Sequence, residues 1–212
     1  MTLEEFLAET RHEVLSQVAD GQPYAELVFC EVVMQHLHDA GMTFEPEPCH
    51  YDGKIGNRRF RLSGYAMSED ADQLDLFVSL YGDFDQLTHV SDEETKQAAQ
   101  QCIRFLDLCA SGKLQGRIDP SHDVNSLVMS IHGIYNELET VRIFVLTDGV
   151  APSKSFKPRE ISGKTVTLEV MDIERLYRHR AEGKPRDEIV MNFRDVVGAP
   201  LPCVYVPPGD GE

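Results

Sequence analysis

The sequence lacks the features that would place the protein in a membrane or outside the cell. No apolar run approaches the length that a bilayer span requires. The N-terminus, Met1 to Glu5, is acidic and lacks the basic-then-apolar pattern of a secretory signal. The five cysteines are odd in number and irregularly spaced, which predicts reduced thiols rather than a disulfide framework. Together these absences predict a cytoplasmic protein with no membrane partner.

Basic residues are scarce: 20 lysines and arginines stand against 36 aspartates and glutamates, giving a formal net charge of −16. That charge favours solubility and repels nucleic acid at long range. A nucleic-acid role would therefore need a local basic patch, a metal ion or a separate domain. The compact basic cluster of the sequence is Arg58, Arg59 and Arg61. Because arginine suits both phosphate and carboxylate partners, this cluster either contacts a phosphate backbone or offsets the acidic surroundings.

Several signatures of enzyme families are missing from the sequence. It contains no GxxxxGK[ST] or GxGxxG phosphate-binding loop and no GxSxG nucleophile elbow. Cysteines and histidines do not cluster, and His36 and His38 are two apart on a predicted helix, so they point away from each other. The sequence therefore predicts no zinc site.

The most strongly patterned stretch is a pair of predicted strands, residues 59–66 and 72–81, joined by a polar connection that suits a hairpin. Successive side chains of a strand point to opposite sides. The second strand therefore places leucines and Val78 on one face and a mixed set on the other, namely Asp75, Phe77, Ser79 and Tyr81.

Elements of both kinds follow one another along the rest of the chain. Two capping boxes, at Thr2 and Ser91, mark helix starts. We predict helices over residues 3–18, 23–41, 91–109, 119–134 and 172–178, strands over 141–147, 165–170, 188–193 and 203–206, and loops over 42–53 and 151–158. This order predicts an α/β domain with a mixed central sheet flanked by helices.

Acidic residues near the strand pair provide a candidate catalytic site. A metal-dependent phosphodiesterase gathers carboxylates at one end of a sheet to hold Mg²⁺. Asp75 on the second strand, with Glu26 or Glu31 on the preceding helix, could form such a group, with Asp75 as the metal ligand. Scattered carboxylates are mostly solvated, so the competing interpretation places Asp75 on a solvated strand face and the glutamates on the surface.

Several local strings resemble the N-terminal region of abortive infection phage resistance (AIPR) proteins. They are a helix like residues 25–41, a strand ending in Leu62-Ser63-Gly64-Tyr65, the strand Leu74-Asp75-Leu76-Phe77-Val78-Ser79, a helix containing Arg104-Phe105-Leu106, and the string from Val141 to Gly149. The resemblance spans most of residues 5–206.

The resemblance implies a restriction-endonuclease-like fold of the PD-(D/E)xK type in a bacterial phage-defence protein. Residues 1–206 would be one nuclease-like N-terminal domain, and the tail 207–212 a linker or truncated end. Because AIPR proteins are longer, a C-terminal AIPR domain is an implied partner. Homo-oligomers and weak nucleic-acid binding through Arg58, Arg59 and Arg61 are further possibilities.

The resemblance weakens at the residues that would carry the chemistry. Relatives tend to have an aspartate where this chain has Ser63, and the strand expected to carry (D/E)xK reads Val78-Ser79-Leu80. Serine and valine cannot replace carboxylates as ligands of Mg²⁺. We therefore expect a non-catalytic module that serves binding or assembly, with no cofactor. A divergent nuclease using Mg²⁺, Asp75 and Glu26 or Glu31 is one alternative, and a purely structural interaction domain is another.

Overall fold

A computed structural model describes residues 1–19 and 24–182 of the chain. Its helices are α1 (Leu3–Ala19), α2 (Ala25–Asp39), α3 (Asp92–Ala110), α4 (Val124–Ile134) and α5 (Ile173–Glu182). Its strands are β1 (Pro46–Ile55), β2 (Arg58–Met67), β3 (Gln73–Leu80), β4 (Thr140–Thr147), β5 (Ser155–Ile161) and β6 (Lys164–Met171). The protein is thus a mixed α/β structure, as the sequence predicts.

The described strands form one six-stranded mixed sheet in the order β1-β2-β3-β4-β6-β5. Its centre is parallel, because β4 pairs in parallel with both β3 and β6. Antiparallel pairs close the two sides: β1 with β2, β2 with β3, and β5 with β6. The nearly continuous apolar run of β4 fits this central position, where both faces of a strand are covered.

Helices cover both faces of the sheet and create two hydrophobic cores. On one face, α3 and α4 pack against the side that carries Leu74, Leu76 and Val78. On the other face, α1, α2 and α5 pack against the side that carries Phe77 and Phe144, whose rings stack at 5.4 Å. The alternation predicted for β3 is confirmed, and both of its faces are buried.

The helix starts follow the predicted capping chemistry. Thr2 and Glu5 exchange two hydrogen bonds at the start of α1, and Ser91 and Glu94 form a complete capping box at the start of α3. The cysteines of α3, Cys102 and Cys109, are buried in its apolar face.

Some predicted boundaries are wrong. The predicted loop 42–53 contains most of β1, and the predicted loop 151–158 runs into β5. Both are edge strands, where a proline that cannot donate a hydrogen bond is tolerated, so their prolines misled the prediction. Helix α4 begins at Val124 rather than near Asp119. The predicted strands 188–193 and 203–206 and the tail 207–212 lie outside the described residues. Among the described helices, none has the length and apolarity needed to cross a membrane.

Candidate functional site

Strands β2 and β3 separate at Ser63 and Ser79. Their register runs from Met67↔Leu74 to Gly64↔Phe77. Beyond that pair, the Ser63 Oγ atom accepts a hydrogen bond of 3.0 Å from the main-chain N–H of Ser79. Both serines are buried, so a side-chain oxygen replaces a main-chain carbonyl in the ladder.

Gly64 explains how α2 comes close to this point of the sheet. A Cβ atom at Gly64 would lie 2.5 Å from the Sδ atom of Met34 on α2. A larger residue would therefore force the end of the Met34 side chain to move and would also crowd the Glu47 carbonyl oxygen, which would lie 3.1 Å from the added Cβ atom. Two neighbouring residues thus have different roles here. The Ser63 hydroxyl replaces a main-chain carbonyl in the strand pairing, and Gly64 leaves room for α2 to lie close to the sheet.

An ion pair between α2 and β2 lies at the point where β2 and β3 separate. The Arg61 guanidinium lies 2.6 Å from Glu26 Oε1 and donates a second bond of 3.1 Å to the main-chain carbonyl of Ser79. Both main-chain groups of Ser79 are therefore bound by side chains of β2. Nearby, burial followed by the charges of Glu26 and Glu31 raises the pKa of the Cys30 thiol, which keeps it protonated.

The Ser79 hydroxyl is the unpartnered atom of this region. Its Oγ atom is buried and forms no hydrogen bond in the described part of the chain. Buried polar groups in proteins are nearly always bonded, so an unsatisfied hydroxyl marks a position where packing took precedence over polarity.

Asp75 is fully buried, which contradicts the expectation of a solvated strand face. Arg142, its register partner on β4, donates from Nε to Oδ1 at 2.7 Å and from Nη2 to Oδ2 at 2.6 Å. The Thr43 hydroxyl donates to Oδ2 at 2.6 Å, and Arg142 also binds the Met42 carbonyl at 3.0 Å. The buried carboxylate thus neutralises the half-buried Arg142 and holds the segment after α2 against the sheet.

The other predicted catalytic acids do not join Asp75 in one ligand set. Glu26 pairs with Arg61, and Glu31 lies half-buried further along α2. Among residues 1–19 and 24–182, no three His, Cys, Asp or Glu side chains are grouped so that they could hold a metal ion. The catalytic roles of Asp75, Glu26 and Glu31, and the metal role of Asp75, stay predictions.

The basic cluster is mostly neutralised within the molecule. Arg59 binds Asp52 through two nitrogens, at 2.9 Å and 2.5 Å, and these hydrogen bonds lower the pKa of the Asp52 carboxyl. Arg61 pairs with Glu26, whereas Arg58 is exposed. The predicted nucleic-acid role of these three arginines is not tested by this geometry, although two of them already have acidic partners.

Two buried aspartates that sequence reasoning missed lie after the parallel strands. Asp148 follows β4 and accepts main-chain hydrogen bonds from Gly82 at 2.8 Å and Phe84 at 3.0 Å. Burial raises the pKa of the Asp148 carboxyl, although these amides lower it in part. An aspartate directly after a buried strand was the available signal, because the carboxyl ends of parallel strands share one edge of the sheet.

Asp172 follows β6 and fixes the neighbouring connections. It accepts hydrogen bonds from the main-chain N–H groups of Ala151 at 2.8 Å and Arg175 at 3.0 Å, and it contacts the Lys154 ammonium. Lys154 also contacts Glu174 at 3.0 Å. Asp172 therefore begins α5 and holds the loop after β4, and its oxygens are engaged by the protein itself.

Comparison with known proteins identifies the family. Residues 29–178 match the family described as "Abortive infection phage resistance protein N-terminal domain". No curated protein and no solved structure matches the chain. The matched range covers more than half of the 212 residues and contains most of α2, the whole sheet, and Asp75 with Arg142. The chain therefore belongs to the family of abortive infection phage resistance protein N-terminal domains.

Proposed function

We propose that this chain is a nuclease-like module of a bacterial phage-defence protein that has no catalytic activity and serves binding or assembly. The family membership supports the role in phage defence. The nuclease-like character and the absence of catalysis rest on the fold and on the residues at the separation of β2 and β3.

The order of elements supports a restriction-endonuclease-like fold of the PD-(D/E)xK type. Helix α2 is followed by the strands β1, β2 and β3, then by α3 and α4, and then by β4, which lies beside β3. This is the order of the strings that carry the resemblance. The β2–β3 pair, which would carry the catalytic acids in such a fold, opens at Ser63 and Ser79.

The single observation that carries the proposal is that serines, rather than acidic residues, lie where β2 and β3 separate, and that Ser63 binds the main chain of Ser79. Where relatives tend to have an aspartate, Ser63 binds the Ser79 main chain, and Arg61 binds the other main-chain group of Ser79. Neutral hydroxyls are poor ligands for Mg²⁺, and a nearby arginine would repel the cation. Asp75 is already bound by Arg142 and Thr43, so recruiting it to a metal would leave the Arg142 charge unpaired.

The charge distribution favours a protein partner over nucleic acid. The formal charge is −16, and Arg59 and Arg61 are paired with Asp52 and Glu26. A polyanion therefore meets long-range repulsion. The partners that suit the module are the C-terminal AIPR domain of a longer protein, a second copy of the chain, or another protein of the defence system.

A cleavage assay tests the absence of catalysis. Purified chain is incubated with single- and double-stranded DNA and with RNA, in Mg²⁺ and separately in Mn²⁺. We expect no cleavage above that of a sample without protein. Metal-dependent cleavage that is lost in Asp75→Asn but kept in Asp70→Asn, which removes an exposed carboxylate, would show a divergent nuclease and overturn the proposal.

A further inference from the structure

A basic groove runs between α3 and β5, at the sheet edge opposite β1. Its cavity measures about 420 Å³. Three cations line it, namely Lys96, Lys157 and Arg159. Its apolar part is formed by the side chains of Ile103, Phe156 and Leu168. No acidic side chain lines the groove in the part of the chain that the structure describes. In a chain of charge −16, such a local excess of positive charge is unusual.

A β-bulge creates this combination of charge and apolar surface. Phe156 pairs with Leu168 and Arg159 pairs with Val166, so three steps along β5 match two steps along β6. The extra residue brings Phe156 and Arg159 to the same face, although a regular strand would place them on opposite faces. The bulge thus sets a cation beside an apolar side chain on the face that α3 covers.

Two of the three cations of the groove, Lys157 and Arg159, are available to a partner, whereas Lys96 is paired with Asp92. Lys157 and Arg159 are exposed, and neither forms an ion pair with the described residues. Lys96, on α3, is 60% exposed. Its Nζ atom lies 3.9 Å from Asp92, which also binds Ser153, and 5.5 Å from the centre of the Phe156 ring.

We propose that the basic groove is a docking site for an acidic segment of another protein, with an apolar side chain of that segment seated on Phe156, Ile103 and Leu168. This proposal rests on the proposed binding role and names its partner chemistry. Charge complementarity argues for the acidic character, because the exposed Lys157 and Arg159, which have no ion-pair partner among the described residues, would be neutralised by carboxylates. The apolar contacts supply affinity that the charges alone would not.

The docking does not extend the sheet by another strand. Pro158 has no N–H group, and the bulge and Lys157 interrupt the outer edge of β5. These are features that protect an edge strand against pairing with another chain. The partner segment therefore binds through its side chains along the groove.

Nucleic acid fits the groove less well. Single-stranded nucleic acid needs aromatic surfaces on which several bases stack, and the groove offers one ring, Phe156, beside Lys96. The overall charge of −16 also repels a long polyanion more strongly than a short acidic peptide.

Peptide selection tests the proposal without assuming a partner. A library of random short peptides displayed on yeast is selected on the full wild-type chain, and the enriched peptides are titrated by fluorescence anisotropy. We expect peptides with several acidic residues around an apolar one. The double variant Lys157→Glu with Arg159→Glu should weaken their binding by about tenfold or more, as expected for charged residues central to an interface.

A matched variant controls for net charge. Lys54→Glu with Lys113→Glu makes the same change in charge on exposed residues outside the groove, one in β1 and one after α3, and it should leave peptide affinity unchanged. The proposal fails if selection enriches no acidic peptides, if both double variants weaken binding equally, or if a single-stranded oligonucleotide displaces the peptides and binds the groove more tightly. These results are independent of the cleavage assay, since the groove can fail as a docking site while the chain still lacks catalysis.

Discussion

The residues of the candidate site bind one another through hydrogen bonds. The carboxylate of Asp75 receives three hydrogen bonds from Arg142 and Thr43, and the Ser63 hydroxyl completes the sheet ladder. The alternation of β3 reveals that Asp75 and Phe77 share a face. It could not reveal that this face is covered by α2, or that the partner of Asp75 lies 67 residues further along the chain. Such pairings depend on the strand order, which no local pattern encodes.

Removing one partner of the Asp75–Arg142 pair should destabilise the fold. In Asp75→Ala, the Arg142 charge loses its partner in a site where the arginine side chain is only 27% exposed. We expect a loss of about 3 kcal/mol in the free energy of unfolding, measured by urea denaturation. Asp70→Ala, at an exposed turn, should change it by less than about 0.5 kcal/mol. A loss below about 1 kcal/mol in Asp75→Ala would contradict a structural role for the pair.

Asp148 should give stability a measurable pH dependence. Burial raises the pKa of its carboxyl in the folded state, so the folded protein binds the proton more tightly than the unfolded chain. Its contribution to stability is therefore highest below the ordinary aspartate pKa of about 3.9 and falls as pH rises through the raised value. The free energy of unfolding of wild type minus that of Asp148→Asn should decrease over this range. A difference that grows with pH would show that the Gly82 and Phe84 amides outweigh burial.

At the scale of the helices and strands, the sequence predicts best the features that depend only on adjacent residues. The capping boxes at Thr2 and Ser91 and the strands 141–147 and 165–170 are confirmed because each depends on a few adjacent residues. The sequence did not predict the edge strands, because proline is typical of loops and a bulge interrupts the regular alternation that indicates a strand. Pro48 in β1 and Pro158 in β5 each lie at an interruption of the register, where a missing N–H is tolerated.

The Ser91 cap should contribute measurably to stability. Ser91→Ala removes the hydroxyl that accepts from the Glu94 N–H at the start of α3, and we expect a loss of about 1 kcal/mol in the free energy of unfolding. Ser16→Ala is the matched control, because Ser16 lies inside α1 and caps no helix. Equal effects of the two substitutions in urea denaturation would contradict the assignment of the cap.

At the scale of the whole molecule, one sheet carries two different surfaces. The β2–β3 separation under α2 is closed by internal hydrogen bonds, whereas the groove between α3 and β5 leaves its cations exposed. The sequence predicted a mixed sheet between helices, since its elements and their order are visible in the pattern. It could not predict the groove, because Lys96 and Arg159 line one cavity only after β5 pairs with β6 and α3 packs against the sheet.

The central claim is that, as the proposed absence of catalysis requires, the residues where β2 and β3 separate bind no divalent metal ion. Titration of the purified chain with Mn²⁺ in an isothermal calorimeter tests it most directly, with Asp75→Asn and Asp70→Asn measured alongside. We predict no saturable binding of Mn²⁺ to wild type or to either variant. One saturable site per chain that is lost in Asp75→Asn and kept in Asp70→Asn would contradict the claim.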